Sequence, residues 1–450
     1  MNPLESISPI DGRYHDKVKE LSPYFSEMAL MKYRMMVEVE YFIALGEAPG
    51  VKELKPPSPK IKKQLRSFYE QFSEKDAEAV KKIEAVTNHD VKAIEYLMKK
   101  KLSAIGYQQS AEFVHFALTS EDTNNLAYSL MWRDSLQKII LPELGTLHKT
   151  LLSFAKQYRG QPMLALTHGQ PATPTTIGKE FAVFAARLER KIERFKNHQL
   201  LGKLNGATGT YSAMVIAYPN VNWPKLSQKF VESLGLIFNP LTTQIEPHDS
   251  LAENFRLIQH TNTILLDFTR DVWLYISRGV LGQIKKDGEV GSSTMPHKIN
   301  PIQFENAEGN LGLANAIFSH LAEKLPMSRM QRDLTDSTVL RNLGVPLGHS
   351  LLAYKSILTG MSRLTINKEK LNEELEDHWE VLAEAIQTIL RKVGHEKPYE
   401  KLKELTRGEK VTKEDIRKFI KGLDIPEEEK KKLLKLTPQT YIGLASKLVK

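Results

Sequence analysis

Residues 247–278 read PHDSLAENFRLIQHTNTILLDFTRDVWLYISR, with no glycine and no proline after the first position. Ile258, Leu265, Phe268, Val272 and Tyr275 follow one another at steps of seven, three, four and three, which keeps them on one face of a helix. That spacing suits a helix packed in a bundle. Working outward, the same periodicity predicts long helices over 120–158, with Pro142 as a kink, and over 174–201 and 301–324. A further one spans 333–364, interrupted by Gly344 and Pro346. Period-two alternation with β-branched residues is scarce, so the expected class is all-α. Shorter helices broken by Pro, Gly and charged turns flank the long ones. This divides the chain into an N-terminal helical domain 1–110, a central long-helix bundle 111–365 and a C-terminal helical cap 366–450.

Of the 450 residues, 41% are hydrophobic and 26% charged, as in an ordinary globular protein with a large core. There are no cysteines. Disulfides, thiolate metal sites and a cysteine nucleophile are therefore excluded, and a reducing compartment, the cytoplasm, is expected. The N-terminal MNPLESISPIDGRY has neither the basic region nor the apolar run of a secretory signal. No apolar run reaches membrane-spanning length, so no membrane association is expected. The net charge is +9, but lysines alternate with acids, as in KELKPPSPKIKKQLRSFYEQFSEKDAEAVKKIE at 52–84. That is the pattern of solvated helix faces and argues against nucleic acid as a partner, while the excess can attract a small polyanion.

The segment richest in chemistry is GSSTMPHKINP, residues 291–301. It sets two hydroxyls, an ammonium and an amide in a glycine-hinged loop that opens a helix. Asn300 suits an N-cap and Pro301 a first helical position. Lys298 and Asn300 are then expected where free N–H groups and the helix dipole favour a carboxylate. Glu305 follows about one turn into that helix, where a carboxylate can accept a bond from an imidazole. Gly288 and Gly291 are candidate hinges for a loop that closes over substrate.

Four other stretches carry candidates. THGQPATP at 167–174 is turn-rich and presents the His168 imidazole beside the Gln170 amide. TSED at 119–122 fits a helix start, and the hydroxyls of Thr119 and Ser120 beside exposed N–H groups can also grip a carboxylate. TNHD at 87–90 precedes the helical run DVKAIEYLMKKKL, where Asn88 or Asp90 would serve as a cap. In SRMQRDLTDSTVLRN at 328–342, Arg329, Arg332 and Arg341 cluster with Ser337 and Thr338 as extra donors. Guanidinium forks bind phosphate oxygens in pairs, although an arginine-rich helix face can equally be solvated surface. Gln244, in QIEPH, reads by itself as part of a turn before a helix.

GSSTMPHKINP, THGQPA, TSEDTNN and NHDVKAIEY resemble the motifs of the fumarase/aspartase superfamily. The order MPHK is similar to that of its adenylosuccinate lyase branch, of bacterial type. The likeness extends from SPIDGRY at 8–14 to EKPYEKLKELTRG at 396–408 and TPQTYIG at 437–443. It implies a three-domain, all-α fold whose central helices assemble with other subunits into a homotetramer with shared active sites. The implied reaction is loss of fumarate from adenylosuccinate, leaving AMP, and from the succinylated aminoimidazole carboxamide ribotide of purine synthesis. No cofactor and no metal are implied.

By the same resemblance His168 is the general acid, a task suited to a side chain that titrates near neutrality. Ser292 is the base, acting as an alkoxide, and Lys298 and Asn300 receive the charge that builds on a substrate carboxylate. Glu305 orients His168. His89 supports catalysis and, with Asn88 and Asp90, holds substrate. Thr119 and Ser120 bind the succinyl part, and Gln170, Gln244 and Asn306 add contacts. Arg13, Tyr14, Arg332, Ser337, Thr338 and Arg341 hold the phosphorylated nucleotide, and Arg329 is left open. Two alternatives on the same scaffold compete, and a third, a helical nucleic-acid-binding module, would need a one-sided basic stripe. Another fumarate-releasing lyase of the superfamily would lack MPHK and the arginine set, and a catalytically silent scaffold would not need Ser292, His168, Lys298 and Glu305 together.

Overall fold

The computed structural model describes residues 3–285, 288, 295, 298–406 and 411–450. The expected base Ser292 lies outside the described residues, as do Gly291 and His297 of the same loop. In chain order, the elements that matter for the site begin with α1 (Glu27–Gly46), α2 (Glu74–Thr87), α3 (Asp90–Ala104), α4 (Ser120–Ser135) and α5 (Leu141–Gln157). The strands β1 (Pro162–Thr167) and β2 (Gln170–Thr176) follow. Then come α6 (Ile177–Lys196), α7 (Asp249–Ser277), α8 (Ile302–Lys324), α9 (Thr335–Leu340) and α10 (Gly344–Met361). Sheet among the described residues amounts to three two-stranded pairs, so the fold is all-α in class.

The helical spacing is realised in the burial. Ile258, Leu265, Phe268 and Val272 of α7 are buried and Tyr275 is half-buried. Pro142 does not break its helix. The turn Leu136–Ile140 widens to i→i+5 bonding just ahead of it, between α4 and α5. This accommodates the missing N–H of the proline and the bulk of its ring. Near residue 340 the expected long helix is cut at Gly344. There a Cβ would stand 2.5 Å from that of Phe25, and Pro346 falls in the first turn of α10, where no donor is needed.

Two boundaries differ from expectation. Residues 174–176 belong to β2, and α6 begins at Ile177. At the other, Pro301 is the cap residue, its carbonyl accepting from the Phe304 and Glu305 N–H groups at 3.0 and 3.2 Å, and Ile302 is the first helical residue. Asn300 therefore precedes the cap by one position.

Contacts divide the chain into two compact units, each built from separated segments. The first comprises Met1–Glu143, Lys191–Thr263 and Gly309–Ala353. Its core holds an aromatic group in which Trp132 meets Phe255 edge-on at 4.8 Å and Phe25 at 6.0 Å. The Trp132 indole N–H donates to Asn254 Oδ1 at 2.8 Å, so the buried ring leaves no donor unpaired. The second unit comprises Leu144–Arg190, Ile264–Glu308 and Tyr354–Lys450. Phe154, Phe181, Phe184, Phe268 and Phe304 form its aromatic core at ring separations of 4.4–6.3 Å. No described helix is long and apolar enough to cross a membrane.

Candidate active site

In the first unit, chain segments far apart in sequence converge on a cavity of about 870 Å³. Asn88, His89 and Asp90 line it from the α2–α3 junction, Ser120 from the start of α4, Gln244 from the loop before α7, and Arg332, Ser337 and Arg341 from around α9. Eight of the residues singled out from sequence thus line one cavity. Thr119, Thr338, Arg13 and Tyr14 are not among the lining residues. Thr119 caps α4, and the Arg13 guanidinium lies 5.8 Å from the Tyr14 ring centroid. Arg329 is exposed and pairs with Asp333 at 3.2 Å.

Local chemistry fixes these side chains. Asn88 is left-handed (φ +49°) and ends α2, which turns the chain directly into α3. The α3 cap is neither Asn88 nor Asp90. His89 takes that part, its Nδ1 accepting from the Lys92 N–H at 3.2 Å, and a neutral ring in this bond carries its proton on Nε2. Asp90 braces two arginines, Arg34 at 2.9 Å and Arg341 at 3.0 Å. Burial raises the Asp90 pKa, but Arg34, the Val91 N–H and Arg341 outweigh it and hold the carboxyl below its ordinary value. Arg341 is thereby aimed from a fixed anchor.

Arg332 is more deeply held. Its Nη1 lies 3.1 Å from Gln244 Oε1 and 3.3 Å from Glu121 Oε2, and its Nη2 lies 3.8 Å from Asp336 Oδ1. Glu121, His248 and Asp336 beneath it are buried, with ligand-type atoms all within 4.8 Å of one another. Three such groups could hold a divalent cation, but the Arg332 guanidinium already faces both carboxylates. The Gln244 amide donates to the Ala207 carbonyl at 2.9 Å, tying the loop 205–210 to the cavity.

That loop, lined at Ala207 and Thr208, was not singled out from sequence, although its glycines in NGATG were a signal. Its support is a fully buried ion pair, Lys203 Nζ to Asp122 Oδ1 at 2.9 Å. Asp122 Oδ1 also accepts from the Asn205 and Gly206 N–H groups at 3.0 and 3.2 Å, and its Oδ2 from the Thr119 N–H at 2.9 Å. One carboxylate therefore sets both the 205–210 loop and the start of α4. Glu84, Asn124, Met330, Gln331, Asp333 and Leu334 complete the lining and were also missed.

The second unit carries the remaining candidates. His168 and Gly169 are the two-residue apex of the β1–β2 hairpin, with Thr167 paired to Gln170. Their φ values of +53° and +75° are the two positive angles a type I′ turn requires. His168 and Gln170 are exposed. The hairpin is braced from its own unit: Leu164 packs with Leu375 and Val381, and Thr173 hydrogen-bonds Glu384, which also accepts from the Tyr441 hydroxyl at 3.0 Å. Glu305 is exposed in the first turn of α8 and accepts from the Trp273 indole at 3.1 Å, not from His168. Lys298 is exposed, and Asn306 Oδ1 accepts from the Ser356 hydroxyl at 2.9 Å.

A largely helical chain with an arginine-anchored polar cavity and an imidazole at a hairpin apex has the parts of an acid/base lyase. The family model described as Lyase matches residues 12–316, and the one described as Adenylosuccinate lyase C-terminal matches 328–442. The adenylosuccinate lyases of Haemophilus influenzae and Escherichia coli are each 52% identical to the chain over 450 residues, covering 100% of it and 99% of the relative. The chain belongs to the adenylosuccinate lyase family and is an enzyme. Solved structures of a fumarate lyase from Mesorhizobium sp. BNC1 (TM-score 0.74, 18% identity) and a 3-carboxy-cis,cis-muconate lactonizing enzyme from Pseudomonas putida (0.71, 21%) are similar in fold. The first match covers 96% of both chains, the second 96% of this chain and 95% of the other.

Proposed function

We propose that the protein cleaves adenylosuccinate to AMP and fumarate, and the succinylated aminoimidazole carboxamide ribotide to its amine and fumarate, by β-elimination. Ser292 takes the proton from the carbon beside one succinyl carboxylate, and the electron pair left there forms the double bond of fumarate. The carbon–nitrogen bond breaks, and His168 protonates the departing nitrogen. Lys298 and Asn300 stabilise the second negative charge that builds on the carboxylate. Glu305 orients His168. Thr119 and Ser120 hold the succinyl group, with Gln170, Gln244 and Asn306 as further contacts. His89 steadies the substrate beside the acid, together with Asn88 and Asp90. Arg13, Tyr14, Arg332, Ser337, Thr338 and Arg341 bind the nucleotide.

The observation that carries this reading is the convergence of Asn88–Asp90, Ser120, Gln244, Arg332, Ser337 and Arg341 on one cavity. Its two anchored arginines suit a phosphorylated ligand. The direct test incubates the protein with adenylosuccinate and follows fumarate and AMP, with argininosuccinate and malate in parallel. Equal amounts of fumarate and AMP are expected, and product from another substrate alone would overturn the assignment. Arg332→Ala is expected to raise KM about tenfold or more, because a charge-assisted contact to phosphate is lost. An unchanged KM would remove Arg332 from the phosphate site.

The enzyme acts as a cytoplasmic homotetramer with shared active sites in this reading. Large apolar side chains left exposed on long helices, among them Val183 on α6, Trp273 and Leu274 on α7 and Ile302 on α8, support self-association. A solution mass of one chain would refute it.

A further inference from the structure

The buried group beneath Arg332 has a charge problem that its geometry resolves. Glu121, on α4, and Asp336, on α9, are both buried and face a single guanidinium. Burial raises the Glu121 pKa and Asp336 adds to it, while Arg332, His248 and Lys203 oppose the rise. With both carboxyls ionised, one guanidinium cannot offset them, and an excess negative charge under Arg332 would oppose an anionic ligand above it. The remaining member is His248, buried to 1% exposure. Its Nε2 points at Asp336 Oδ2 from 4.0 Å, too far for a hydrogen bond but within ion-pair range. Glu121 Oε1, Asp336 Oδ2, His248 Nε2 and Arg332 Nε are all buried with no hydrogen-bond partner among the described residues. Four unpaired polar atoms in one buried group are costly, and an unbalanced charge among them would add to that cost.

We propose that His248, as an imidazolium, is a positioning residue for Arg332: it offsets the second buried carboxylate, so that the guanidinium keeps its charge and direction for the phosphate of the substrate. The proposal rests on the reading of Arg332 as a phosphate contact. The backbone at His248 agrees with a demanding position. It is left-handed (φ +62°), and its backbone N–H donates to Glu246 Oε2 at 2.8 Å, which holds the turn that carries the ring. Charged groups face this ring from each neighbouring element: Glu121 from α4, Asp336 from α9, Arg332 from the segment before α9 and Glu246 from its own loop. Burial of the ring lowers its pKa, but Asp336, Glu121 and Glu246 outweigh this and the result lies above the ordinary histidine value. The sign follows. The imidazolium and the stability it contributes are fully present below the ordinary value and are lost as pH rises through the raised one.

The test measures AMP binding and steady-state kinetics of the full-length enzyme between pH 7 and 9, where the AMP phosphate is already a dianion. His248→Asn tolerates the left-handed backbone and cannot be charged. It is expected to weaken AMP binding about tenfold at pH 7, to change kcat less than about twofold and to flatten the fall in affinity toward pH 9. Adding Asp336→Asn should restore most of the affinity by removing the uncompensated charge, a rescue that a packing role would not give. Wild-type affinity and pH profile in His248→Asn, or a loss that Asp336→Asn fails to restore, would overturn the proposal. Should His248→Asn not fold, Asp336→Asn alone carries the test. It is expected to abolish the pH dependence, and a wild-type profile refutes the idea. Arg332→Ala separates the two readings: unchanged AMP affinity there would sink the phosphate contact itself, whereas a loss confined to Arg332→Ala would sink only the part assigned to His248.

Discussion

His168→Asn lowers kcat by about 10²–10⁴-fold, the range for loss of a positioned general acid, and leaves the unfolding temperature unchanged. Asparagine is the informative replacement because residue 168 has φ +53° at a hairpin apex, a conformation asparagine accepts and most side chains resist. Histidine here is exposed, so no packing is lost with the ring. Ser292→Ala is expected to lower kcat at least as far while substrate still binds, since it removes the proposed base and not a binding charge. A substrate analogue with a less basic leaving nitrogen distinguishes the two. It should recover rate in His168→Asn, where protonation of the leaving group is limiting, and none in Ser292→Ala. Recovery in neither variant would remove His168 as the acid, and near-normal turnover of Ser292→Ala would remove Ser292 as the base.

Lys203→Met destabilises the protein by about 3–5 kcal/mol, the cost of leaving one partner of a buried ion pair behind. The methionine fills similar volume, so the loss reports the ammonium, its charge and the hydrogen bond it donates to the Gly206 carbonyl at 3.1 Å. Asp122 would keep its three backbone donors from Thr119, Asn205 and Gly206 but lose the ammonium at 2.9 Å. Chemical denaturation at fixed protein concentration measures this, because assembly couples to stability. Lys203→Met/Asp122→Asn should regain part of the loss, and the double-mutant cycle gives the coupling directly. A Lys203→Met variant within about 1 kcal/mol of wild type would show that the backbone donors alone hold the carboxylate.

The long helices were readable because α7, 29 residues long, keeps Ile258, Leu265, Phe268 and Val272 on one buried face, and nothing in that stretch competes with helix. The hairpin was not. PMLALT is too short to show a period, and β2 contains Pro171 and Pro174, which count against a strand. A two-stranded pair has only edges, so those prolines are tolerated there. His89 as the cap of α3 was hidden for a different reason: the familiar capping residues stood on either side of it. The ion pair of Asp122 with Lys203 and the group of Glu121, His248 and Asp336 each join segments some eighty or more residues apart, and charge pairing of that kind leaves no local pattern. The site residues that could be read were those in compact motifs, while their supports lay elsewhere in the chain.

The bracing of the β1–β2 hairpin also sets an order of events in biosynthesis. Thr173 is held by Glu384, 211 positions later, and Glu384 in turn by Tyr441. A chain emerging from its N-terminus completes the hairpin long before it makes the residues that steady it, and contacts of such separation form late. The cavity is closed by contacts of the same reach, Asp90 to Arg341, 251 positions later, and Glu121 to Arg332, so it too waits for late-made chain. Hairpin and cavity are therefore both completed only when residues far downstream in the chain have been made.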